Sequence, residues 1–128
     1  MKRHANLVAL AREHHQSLVM ARWAKAATAD EDAALTASER LRLAEFRGAL
    51  ARHASREEAI VGAIPEFAGL GLEAARLRAE HLELLDLMDR CGSQADLNRL
   101  GNRLEAHTRW EDREFFAQLE AYWSRSGQ

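Results

Sequence analysis

Two stretches of the sequence repeat one chemical pair at one spacing: His53 with Glu57, and His107 with Glu111. On an α-helix, side chains four residues apart share a face, so each imidazole and its carboxylate can converge on one point. At about 100° per residue both pairs fall in the middle of an apolar arc. Phe46, Leu50, Ile60, Val61 and Ile64 flank the first pair, and Leu97, Leu100, Leu104 and Phe115 flank the second. A third histidine, His81, is centred among Leu77, Leu84, Leu85 and Met88. The adjacent His14 and His15 offer a fourth. His14 lies nearer the middle of the arc formed by Leu7, Leu10, Leu18 and Ala21, and His15 lies toward its edge. An uncompensated buried carboxylate costs several kcal/mol, so two of them in one layer with four imidazoles call for a strong positive charge, which a bound metal supplies. Taken singly, each histidine could instead be a hydrogen-bonded core residue. On the residues alone a metal-free polar bundle stays open.

These side chains need helices to hold them, and the composition supplies helices. Val, Ile and Thr together total eight, Ala and Leu dominate, and Pro65 is the single proline. The first helix is expected over residues 5–27, with an acidic exit at Asp30, Glu31 and Asp32. Thr36 and Glu39 have capping-box spacing at the start of a second helix, which Pro65 closes. Gly69 and Gly71 punctuate the connection to a third helix over residues 72–91, with Gly92 placed as its C′ residue. Ser93 and Asp96 read as a cap for a fourth helix running to about Trp123, followed by a polar tail. Short connections favour antiparallel neighbours, hence an all-α, up-down-up-down four-helix bundle. Counted along the helices at about 1.5 Å per residue, the four histidines fall within about one turn of a common layer. A weak repeat supports His14: Leu10, Glu13, His14 and Leu18 are spaced like Leu77, Glu80, His81 and Leu85.

A chain of 128 residues is read as a single domain over residues 1–128. A net charge of −2 gives no positive field to displace counterions from a phosphate backbone, so nucleic acid is not the expected partner. The longest unbroken apolar stretch near the N-terminus is Leu7 to Ala11, too short for a membrane span or a leader. The lone Cys91 can form neither an internal disulfide nor a thiolate cage, and the chain is expected in the cytoplasm. Met20, Trp23 and Phe116 are large apolar side chains that could be exposed or form a subunit contact.

Across nearly its whole length the sequence resembles the hemerythrin-like family of HHE cation-binding domains. The likeness rests on Glu13-His14, on His53 to Glu58 followed by Ile64-Pro65, on Glu80-His81, and on His107 to Phe116. The resemblance implies a non-haem di-iron centre inside the bundle, with Glu57 and Glu111 bridging two iron ions and the histidines as terminal ligands. Imidazole and carboxylate suit iron by ligand type, and the lack of thiolates argues against a structural zinc cage. One departure stands out: oxygen-carrying members have a further histidine one turn before the position of His81, and here that position is Leu77. Unless His15, Glu58 or Glu80 joins, four terminal imidazoles remain and coordination positions stay open. The implied function is binding or sensing of O₂, NO or a related small oxidant such as peroxide. An oxidase- or peroxidase-type enzyme and a metal-free interaction module are the alternatives.

Overall fold

The computed structural model describes residues 3–29, 32–65 and 69–127. Among them the regular elements are all helical. A 3-10 turn, Ala5–Leu7, leads into α1 (Val8–Lys25), followed by α2 (Ala37–Gly62), α3 (Gly71–Asp89), α4 (Gln94–Trp110), a π-helical turn Glu111–Phe115, and α5 (Phe116–Arg125). α4, the π turn and α5 form one unbroken rod, so four helical units pack on one another. α1 packs on α2, α2 on α3, α3 on α4, and α4 back on α1, closing a ring around the interior. No helix among the described residues is long and apolar enough to cross a membrane.

The helix starts follow the local chemistry. Thr36 Oγ1 accepts from the Glu39 N–H at 3.1 Å while the Thr36 N–H donates to Glu39 Oε1 at 2.8 Å, satisfying two orphan donors reciprocally. Ser93 Oγ accepts from the Asp96 N–H at 3.1 Å. α2 stops at Gly62, three residues ahead of Pro65, as the restriction on residues preceding proline requires. Two expected ends differ. The first helix opens with a 3-10 turn capped by His4 Nδ1, which accepts from the Asn6 N–H at 3.1 Å. α3 ends at Asp89 rather than Cys91, and Gly92 is not a left-handed cap: among the described residues only Gly69 (φ 82°) and Gly127 (φ 79°) have positive φ. The Gly92 N–H instead donates to Asp96 Oδ2 at 3.1 Å, tying the connection to the first turn of α4. Asp30 and Glu31 of the acidic exit lie outside the described residues.

Two apolar clusters fill the interior. One is aliphatic and includes Met20, Ala21, Ala24, Leu43, Leu97, Leu100 and Leu104. The other is rich in aromatic rings and includes Leu7, Leu77, Trp110, Phe115, Phe116 and Trp123. Met20 and Phe116 are buried core residues, and Trp23 is half-buried with the Arg42 guanidinium 4.4 Å above its ring. At the aliphatic end α1 and α4 approach closely at Gly101, where a Cβ would come within 2.6 Å of the Lys25 backbone nitrogen.

The π turn explains how the rod serves both clusters. On a regular helix each four-residue step from His107 through Glu111, Phe115 and Leu119 to Trp123 drifts by about 40°, ending about 160° away from His107. Here the Phe116 N–H bonds to the Glu111 carbonyl five residues back. This absorbs one extra residue and turns the face back by about 100°. Phe115, Phe116, Leu119 and Trp123 are all buried as a result.

Candidate metal centre

Between the two apolar clusters lies a layer of buried polar side chains: His14 from α1, His53 and Glu57 from α2, His81 from α3, His107 from α4 and Glu111 from the π turn. All six are at most 4% exposed. The depth mismatch of about one turn anticipated between His81 and His107 closes in the fold, with their ring centroids 5.1 Å apart. His14 and His53 form a similar pair at 5.0 Å. His15 is the exception among the sequence candidates: it is exposed and outside this layer, because the residue after an inward one points about 100° away.

The ring nitrogens are sorted by what they face. Each Nδ1 donates to a carboxylate of another helix, since an ionised carboxylate can only accept. His14 donates to Asp112 Oδ1 at 2.8 Å, His53 to Glu13 Oε1 at 2.8 Å, His81 to Glu58 Oε2 at 2.8 Å and His107 to Glu80 Oε1 at 2.7 Å. The pattern is cyclic. α1 braces the histidine of α2, α2 that of α3, α3 that of α4, and the π turn that of α1. Each bracing carboxylate is the sequence neighbour of an inward residue (Glu13 of His14, Glu58 of Glu57, Glu80 of His81, Asp112 of Glu111). A helix places that neighbour about 100° round, facing the adjacent helix. Arginines hold three of the four in turn: Arg56 contacts Glu13, Arg76 Nε donates to Glu80 at 2.8 Å, and Arg3 lies 3.7 Å from Asp112.

With Nδ1 fixed outward, every Nε2 points to the centre. His53 Nε2 lies 3.1 Å from Glu57 Oε2, His81 Nε2 3.0 Å from Glu57 Oε1, and His14 Nε2 3.5 and 3.4 Å from Glu57 and Glu111. His107 Nε2 rests against Glu111 Oε1. Most of these approaches lack hydrogen-bond geometry. The Nε2 atoms of His14, His53 and His107 and the Oε2 atoms of Glu57 and Glu111 are buried without a hydrogen-bond partner. Such clustered orphans are costly unless something else satisfies them. Their ligand atoms fall into two overlapping sets, His14, His53, Glu57 and Glu111, and Glu57, His81, His107 and Glu111, each within 4.8 Å. The donors fit a metal ion, and these groups could hold one.

The buried groups interact strongly through their charges. Burial pulls the His14 imidazole down, but Asp112, Glu111 and Glu57 outweigh it and lift its pKa to about 11. The same contest, won by Glu111 and Glu80, lifts His107 to about 9. Burial would raise the Glu57 carboxyl, yet Glu111 and three histidines hold it well below the usual carboxylate range. The metal-free cluster thus gathers positive charge onto its imidazoles.

Each bracing carboxylate stands beside a predicted inward residue, and helical spacing within one segment does not mark its role. Nor does it mark Phe116, whose ring stacks on His14 at 4.9 Å and 17°. Ser17 is a further buried polar residue, one turn along α1 from His14. No family model, curated protein or solved structure matches the chain.

Proposed function

We propose that this is a hemerythrin-like, non-haem di-iron protein of the cytoplasm that binds or senses O₂, NO or a related small oxidant. The observation that carries the reading is the convergence of four Nε2 atoms on two shared glutamates, with three of those nitrogens and both Oε2 atoms lacking partners. Two donor sets sharing Glu57 and Glu111 suit a pair of ions, and imidazole with carboxylate suits iron. Iron would supply a redox couple and coordination positions open to a small ligand. The chain's own part is to fix each ring through its Nδ1–H, to keep the lone pairs of Nε2 inward, and to exclude bulk water with the two apolar clusters.

An up-down-up-down bundle is the matching architecture, and the inter-helix contacts support it. Arg3 reaches Glu120 while Lys25 reaches Glu105, Arg47 pairs with Asp89 while Glu58 reaches His81, and Glu80 meets His107 while Glu83 meets Arg103. In each of these three pairs, an advance along one helix is a retreat along the other. Iron quantitation and an optical spectrum after anaerobic reconstitution test the reading. About two iron ions per chain are expected by ligand count, and no bound iron would overturn it.

A second reading, a redox enzyme acting on O₂ or peroxide, is favoured by Leu77. Its fully buried side chain occupies the aromatic cluster one turn before His81, where no ligand atom is then available. The reduced protein is accordingly expected to oxidise in air without returning when oxygen is removed. Repeated full recovery of the reduced spectrum would restore a carrier, and turnover with peroxide and an electron donor would favour the enzyme.

A further inference from the structure

Beside His53, between α1 and α2, lies a cavity of about 40 Å³. One water needs roughly 10–15 Å³ measured this way, so the space suits a ligand of two or three heavy atoms. Leu50, Phe46 and Ala49 supply an apolar wall, and Gln16, which is exposed to solvent, lines the cavity as well. Glu13 also borders the space, but its two oxygens are engaged by His53 and by Arg56. Ser17 is different. It is 5% exposed, lines the cavity, and its hydroxyl has no hydrogen-bond partner among the described residues. A helical serine can bond back to the carbonyl four residues earlier, as Thr108 does to Leu104 at 2.9 Å. The Ser17 hydroxyl makes no such bond and remains free to donate into the cavity.

We propose that Ser17 is a specificity-determining residue: its buried hydroxyl makes this cavity a dock for a small hydrogen-bond-accepting ligand of two or three heavy atoms. The proposal rests on the metal-centre reading and adds a preference to it. An acceptor such as azide gains a donor there, whereas an apolar species of similar size gains none.

The test uses iron-loaded protein with azide as the probe, comparing the wild type with Ser17→Ala and with Ser17→Thr, which keeps the hydroxyl. One lost hydrogen bond predicts azide affinity about five- to tenfold weaker in Ser17→Ala and within about twofold of wild type in Ser17→Thr. The azide stretching frequency is expected to shift in Ser17→Ala alone, with iron content equal in all three. A crystal structure of the metal-free wild type adds a readout that needs no iron: ordered water within hydrogen-bond distance of Ser17 Oγ, missing in Ser17→Ala. Full iron loading with unchanged azide affinity and frequency in Ser17→Ala would overturn this proposal alone. A wild type that takes up no iron would overturn the metal-centre reading and this proposal with it, before any azide is added.

Discussion

The two ends of the interior do different work. At the aliphatic end, small residues let backbones meet: Gly101 of α4 lies against Ala21, Ala24 and Lys25 of α1, and Asn98 Nδ2 donates to the Lys25 and Ala27 carbonyls at 3.0 Å each, closing the end of α1. At the aromatic end, large rings fill the space that the π turn opens, and one of them, Phe116, stacks directly on His14. The contrast teaches that close backbone approach fixes where the helices sit, while ring packing at the other end backs His14, whose aim its Nδ1 bond to Asp112 sets.

The most severe test of that division is Gly101→Val, whose side chain must enter space held by the backbone of Lys25 and Ala21. Loss of cooperative unfolding in a denaturant titration is expected. At the other end Gly62→Ala meets nothing within 4 Å and should unfold like the wild type or slightly later. Equal behaviour of the two variants would break the comparison.

Next in size are the inner ligands themselves. His53→Ala and Glu111→Ala should each abolish stoichiometric metal loading, read by metal analysis. Glu58→Ala should retain it at saturating metal with affinity about 10–100-fold lower, because Glu58 only orients His81. Equal loss in all three would mean that Glu58 is itself a ligand.

Leu100→Ala and Phe116→Ala then sharpen the contrast. Each buried truncation should cost about 2–5 kcal/mol of stability. Only Phe116→Ala should also weaken metal binding per folded chain, since His14 loses the ring against it. A matching loss of affinity in Leu100→Ala would show that both ends back the site.

The gentlest probe is pH. With His14 lifted to about 11 and His107 to about 9, both imidazoles are protonated at neutrality in the metal-free chain. A metal must displace those protons, so affinity should rise by about a hundredfold per pH unit up to about 9 and by about tenfold per unit from there to about 11. Proton release on loading, followed with a pH indicator, measures the count.

Much of this layout was legible in the sequence because it depends on spacing. The pairs His53–Glu57 and His107–Glu111, the choice of His14 over His15, and the caps at Thr36 and Ser93 all follow from helical period and local hydrogen bonding. Phe116 was not legible. On an unbroken helix it stands about 180° from His107, and no residue between Glu111 and Phe115 announces that the helix widens there. The bracing role of Glu13, Glu58, Glu80 and Asp112 was hidden for another reason. It depends on which helix lies next to which, and that order belongs to the assembled ring rather than to any one segment.

The π turn also bears on how this gene can change length. Elsewhere in the rod, losing one residue would rotate everything beyond it by about 100° and carry one apolar cluster to the surface. Within Glu111–Phe115 the rod already holds one residue more than a regular helix needs. Deleting the exposed Arg113 would therefore tighten the turn to an ordinary helix and leave Leu119 and Trp123 facing inward. Single-residue deletions scanned from α4 as far as Trp123 should be tolerated in this one window and nowhere else.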